Sequence, residues 1–115
     1  RLNQIAFDQY NAATLTQNLE SEGIELVRWG QHFRYMNAPL REFERRLIGG
    51  QLAFEPNPLL ESCVQNASIE TNAEGHIRLV KPADNRRIDL LVASAMALGL
   101  TLATESYYDS PVLLV

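Results

Sequence analysis

Apolar positions along the chain fall into short runs and helical stripes, punctuated by Gly, Pro and Asn. Gln4-Ile5-Ala6-Phe7 is a brief apolar run that stops at Asp8, and it predicts a buried strand. Asn11 then stands as an N-cap ahead of Ala12, Leu15 and Leu19, one face of a helix that Gly23 closes. Ile24 to Trp29 alternates in part, as a strand does. Positions 4 to 29 thus read as a strand–helix–strand unit, which favours parallel pairing through a right-handed crossover.

A polar and aromatic loop follows Gln31. Asn37-Ala38-Pro39 reads as the opening of a second helix, with Pro39 in its first turn and Leu40, Phe43 and Leu47 as its apolar stripe. Gly49-Gly50 ends it, and Gln51 to Phe54 reads as a short extended piece. Asn57-Pro58 opens a third helix that turns Leu59, Leu60, Cys63 and Val64 inward. Ser68 to Thr71 and Ile77 to Lys81 predict two strands around the turn Asn72-Ala73-Glu74-Gly75. Asp84 or Asn85 caps a final helix from about Arg86 to Ala103. It is apolar nearly all round its first three turns, which predicts burial. After Glu105 only an extended end at Val112-Leu113-Leu114-Val115 is legible. Repeats, low-complexity tracts and linkers are absent, so residues 1–115 read as a single α/β domain.

Composition narrows this picture. A chain of 115 residues with 46% hydrophobic content can bury one modest core. Its single cysteine, Cys63, has no internal partner and reads as a buried thiol in a reducing compartment. The sequon Asn66-Ala67-Ser68 is then fortuitous. No apolar run reaches the ~18 residues of a membrane span, so no membrane partner is expected. The chain begins at Arg1 without a methionine or a signal peptide, and the expectation is a piece of a longer protein. A net charge of -4 argues against a general nucleic-acid-coating protein. It leaves a metal-dependent nuclease open, because there the divalent ions face the phosphate. Nine Arg against one Lys is compatible with phosphate contact.

Two acids occupy unusual places. Asp8 ends a buried strand, where open parallel sheets present their functional groups. Asp89 sits amid Arg87-Ile88-Asp89-Leu90-Leu91-Val92, in the first turn of the most apolar helix. Each also has a structural reading. Asp8 serves equally as a turn or cap residue before Asn11, and Asp89 as a partner for the helix N-terminus or Arg86. Lys81 and Arg78, with Arg86 and Arg87, form either a phosphate-binding edge beside Asp89 or a solvated charged loop. Arg41, Arg45 and Arg46 are interleaved with Glu42 and Glu44, so pairs such as Glu42–Arg46 belong to the helix surface. His32 and His76 have no partner at ligand spacing, and His76 beside Gly75 reads as a turn residue. Trp29 reads as core rather than as a base-stacking platform. No Gly-rich phosphate loop is present, so an ATPase motor is not encoded here.

Five segments, in order, resemble the large terminase subunit of tailed bacteriophages. Ile5-Ala6-Phe7-Asp8-Gln9-Tyr10-Asn11-Ala12 is similar to its "iayDpwna" segment, and Glu22 through Gln31 to the strand after it, which ends in Gln. Pro39 to Leu47 is similar to the "mkelerll" helix, and Asn57-Pro58-Leu59-Leu60 followed by Asn66 to "gNPvl…sN". Arg87-Ile88-Asp89 through Ala93, with Met96-Ala97-Leu98 behind, is similar to "rIDgvvAlimAl". The resemblance covers about positions 5 to 98 and implies an RNase H-like α/β fold, a mixed sheet flanked by helices. It also implies a nuclease that cuts duplex DNA during packaging with two Mg²⁺ or Mn²⁺ ions, Asp8 and Asp89 being two of the metal-binding, catalytic acids. The implied partners are double-stranded DNA and, through the full-length protein, the terminase small subunit and portal. The implied location is the bacterial cytoplasm.

Two departures accompany this resemblance. The family carries a further metal-binding Asp on a first strand upstream of the segment matching Asp8, and only seven residues precede Asp8 here. The expectation is a domain lacking its N-terminal strands, inactive alone, with an exposed sheet edge that a second copy could cover. Where the family often has a basic "rH" before "gNP", this chain has Ala53-Phe54. The competing readings are a non-catalytic phage interaction module and another RNase H-like nuclease, such as a transposase or resolvase.

Overall fold

The apolar run at the start and the alternating run before Trp29 become β1 (Gln4–Phe7) and β2 (Glu25–Arg28). They pair parallel in the register Gln4↔Glu25 to Phe7↔Arg28, as the crossover pattern predicts. Between them runs α1 (Ala13–Ser21), and Gly23 follows with a φ of 79°, a turn that a side chain would strain. The structure, a computed structural model, describes residues 4–8, 13–83 and 85–109. Asn11, Ala12, Asp84 and the end expected to be extended at Val112 to Val115 lie outside the described residues.

The second helix departs from expectation. It is α2 (Phe33–Ile48), beginning four residues before Asn37 and enclosing Pro39 in its interior. An interior proline has no N–H for the carbonyl one turn earlier, which here belongs to Tyr35. The Trp29 indole Nε1 donates to that carbonyl at 3.3 Å. A tertiary donor thus does the task of the missing backbone one, and the helix runs through. Asn37 is not a cap; its Oδ1 accepts from the Ile77 N–H at 3.0 Å and ties α2 to the hairpin.

Asn57 does cap the third helix, α3 (Pro58–Asn66), accepting from the backbone N–H groups of Leu59 and Leu60 at 3.0 and 3.2 Å. Cys63 is buried within it, whereas Leu59 and Val64 are exposed, contrary to the inward reading of all four apolar residues. Gln51 to Phe54 is not a strand; Phe54 lays its ring against Phe43 with centroids 6.1 Å apart. Then β3 (Ser68–Thr71) and β4 (Ile77–Val80) pair antiparallel. Asn72 Oδ1 accepts from the N–H groups of Glu74 and His76, and Gly75 adopts a φ of 83° in their turn. His76 is accordingly a turn residue.

The last helix, α4 (Asp89–Asp109), starts three residues later than expected and ends beyond Ala103. The Ile88 carbonyl accepts from the Val92 N–H, so Ile88 rather than Asn85 stands at the helix boundary. Leu91, Val92, Ala95, Met96 and Leu100 are buried, while Ala93, Ala97 and Thr101 are exposed. Burial is therefore broad but one-sided. Val92, Ala95 and Met96 join Met36 and Leu40 of α2, Ile77 of β4 and Ile88 in one core, against which Ala6, Trp29, Ala67 and Leu79 pack. Among the described residues the strands make two separate pairs, β1–β2 and β3–β4, with helices against both: a mixed α/β architecture.

Candidate functional site

Asp8 is the first residue beyond β1, and Asp89 is the first residue of α4, the helix that packs on β1. Folding therefore brings two acids distant in sequence to one cleft of about 730 Å³. Its polar lining is Asp8, Gln31, Lys81 and Asp89; Leu79, Ile88, Val92 and Met96 contribute apolar wall. Asp8 is half-buried, and Gln31 Nε2 donates to its Oδ2 at 2.9 Å. Asp89 is exposed rather than buried, so water screens part of its repulsion with Asp8. Its place in the first turn also sets a carboxylate at the positive end of the helix dipole.

The basic residues separate. Lys81, exposed at the end of β4, lines the cleft. Arg78 belongs to the hairpin instead: its Nη2 donates to both Glu70 carboxylate oxygens at 3.1 and 3.3 Å. Its guanidinium also lies 4.6 Å from the centroid of the Phe33 ring. Arg86 and Arg87 are exposed in the segment leading into α4, where the Arg87 carbonyl accepts from Asn66 Nδ2 at 3.0 Å. Gln31, in the sequence only the Gln that ends the segment of the second strand, is the polar lining residue to which the sequence assigned no role. The available signal was its position just past a strand expected to lie parallel to the one ending at Asp8.

Hard divalent cations favour carboxylate oxygen, and Mg²⁺ often takes only one or two carboxylates, keeping waters for the rest. Asp8 and Asp89 suit a site of that kind. A fuller protein cage is not formed: no group of three or more His, Cys, Asp and Glu able to hold a metal exists among the described residues.

Residues 1–105 match the family model for the terminase large subunit, endonuclease domain. The chain belongs to this family. It is 29% identical over 100 residues to the terminase large subunit of Enterobacteria phage HK97, covering 85% of this chain and 20% of that protein. Protein YmfN of Escherichia coli strain K12 is likewise 29% identical over 101 residues, covering 85% of this chain and 22% of YmfN. The crystal structure of the HK97 bacteriophage large terminase superposes with a TM-score of 0.72 at 28% identity, over 84% of this chain and 21% of that one. The chain thus spans about a fifth of the length of the terminase relatives it matches. The RNase H-like α/β reading agrees with that superposition, taken as part of such a domain. None of the described helices is long and apolar enough to cross a membrane.

Proposed function

We propose that this chain is a single, partial terminase nuclease domain that contributes Asp8 and Asp89 as ligands for divalent ions used to cut duplex DNA. The observation carrying the reading is that these two acids, on different elements, line the same cleft. When bound, Mg²⁺ or Mn²⁺ ions would supply the charge that activates a water and stabilises the departing oxygen. The chain's own residues hold and surround them. Asp8 and Asp89 provide the negative charge, the Ile88, Val92 and Met96 side chains give the cleft an apolar wall, and Lys81 offers a cation to a phosphate. Arg86 and Arg87 extend the proposed DNA contact along the approach to α4. Arg78, engaged by Glu70 and Phe33, lies outside the lining of the cleft.

Two carboxylates are few for a pair of ions, so cleavage is assigned to the complete protein, with a further acidic ligand. Contacts with a terminase small subunit and a portal belong to that complete protein as well. A second copy covering the outer edge of the β1–β2 pair remains the proposed route to self-association.

Ion binding is tested on this chain directly. Saturating Mn²⁺ or Mg²⁺ raises the melting temperature of the native sequence; at ~100 times the Kd the stabilisation is about 2.7 kcal/mol. Asp8→Asn and Asp89→Asn abolish that rise. Equal ion-induced shifts in the native sequence and both variants would overturn the assignment.

A further inference from the structure

We propose that Gln31 is a positioning residue for Asp8, holding the carboxylate in the orientation that receives a divalent ion. The inference rests on the reading of Asp8 as an ion ligand.

β1 and β2 run side by side to the pair Phe7↔Arg28, and the Trp29 N–H donates to the Phe7 carbonyl at 2.9 Å. The two strands therefore stay together up to the point where Asp8 leaves β1. From Trp29 the chain continues beyond β2 through Gly30 to Gln31, whose amide Nε2 reaches Asp8 Oδ2 at 2.9 Å. Gly30 is required by packing rather than by its backbone angle. A Cβ there would lie 2.6 and 2.9 Å from Tyr35 Cδ2 and Cε2. The absence of a side chain lets the backbone pass the Tyr35 ring on its way to the Asp8 side of the cleft.

The chemistry of the donor matters. The terminal torsion of an Asp side chain is broad and roughly two-fold, which leaves a wide range of carboxylate orientations open to selection by hydrogen bonds. An amide N–H narrows that range. Being neutral, it leaves the carboxylate charge intact for a cation, whereas Arg or Lys at the same place would compete with the ion. Hydrogen-bonded support of this kind commonly changes metal affinity by ~10–100-fold.

The test measures Mn²⁺ affinity by calorimetric titration, alongside the ion-free melting temperature, in the native chain, Gln31→Met and Asp8→Asn. Methionine keeps the length of the side chain and removes the donor, and Gln31 is exposed, so the fold tolerates the exchange. The expected result is a roughly 10–100-fold weaker Kd in Gln31→Met, an ion-free melting temperature unchanged, and no binding in Asp8→Asn. Loss of binding in Asp8→Asn with native affinity in Gln31→Met overturns the positioning role and leaves the ion site standing. Native affinity in Asp8→Asn overturns the ion site itself. A loss of affinity in Gln31→Met that tracks an equal fall in ion-free stability makes Gln31 merely structural, and also overturns the proposal.

Discussion

Replacing Gly99 with Ala sets two opposed effects against each other at a single methyl group. Gly99 is a buried residue within α4, and alanine is the better helix former by about 1 kcal/mol. On propensity alone the variant gains stability. The structure opposes this. A Cβ at position 99 would stand 2.5 Å from Trp29 Cζ2, 3.0 Å from Trp29 Cη2 and 2.8 Å from Pro39 Cγ. Neither neighbour is the loose end of a flexible chain. Trp29 is anchored through Nε1 to the Tyr35 carbonyl, and Pro39 is a rigid ring held in the middle of α2. Overpacking of this kind costs typically ~1–3 kcal/mol, and two stiff neighbours place this case in the upper half of that range.

The net expectation is a loss of about 1–2 kcal/mol, read as a fall in melting temperature of roughly 4–8 °C. Urea titration followed by the fluorescence of Trp29, the chain's one tryptophan, measures the loss and reports on the contact itself. Ala97→Gly, on the exposed side of the same helix, calibrates propensity without packing and loses about 1 kcal/mol. A Gly99→Ala protein as stable as the native one, or more stable, refutes the reasoning, because α2 and α4 would then separate at no cost.

Two further outcomes follow from local geometry. Asn57→Ala leaves the N–H groups of Leu59 and Leu60 without their side-chain acceptor and destabilises the fold by about 1 kcal/mol; Asn57→Asp retains most of the stability, as chemical denaturation would show. Glu42 accepts hydrogen bonds from Arg45 and, at 2.8 Å, from Arg46, and these hold its carboxyl at about 2, below its ordinary 4.5. Its contribution is therefore complete above pH 4.5 and fades as the pH falls from there to about 2. Melting curves of the native chain and Glu42→Gln should differ most near neutral pH and converge at pH 2; a constant difference across that window rejects the linkage.

The elements legible in the chain were those whose signals are local. β1 and β2 announce themselves by short apolar runs, the hairpin by Asn72 and Gly75, and α3 by an Asn–Pro cap whose side chain accepts from the helix it starts. The α2 boundary was not legible, because Pro39 is ordinarily a helix-opening residue and the donor that serves the Tyr35 carbonyl in its place, Trp29 Nε1, is a tertiary contact that no local pattern announces. For a similar reason Leu59 and Val64 read as core. Periodicity marks an apolar face but not whether another element covers it, and here Cys63 alone of α3's residues is fully buried. Asp89 stands among apolar neighbours in the sequence, yet at the start of the helix its side chain is exposed.

The candidate site has the same division between local and distant causes. Asp8 stands out by its place at a strand end, and Asp89 by its place in a helix's first turn. Nothing local in either segment requires them to meet. Their shared cleft follows from apolar contacts: Ala6 of β1 packs against the core to which Val92 and Met96 of α4 belong, and each acid is carried by the element so fixed. Gln31 then reaches Asp8 because β1 and β2 are parallel, since an antiparallel return would put the end of β2 at the opposite end of β1. The placement of the charged groups is thus a consequence of the packing of uncharged ones. A substitution that shifts α4 against β1 should therefore disturb the shared placement of Asp8 and Asp89 in the cleft before it disturbs the contact between Gln31 and Asp8.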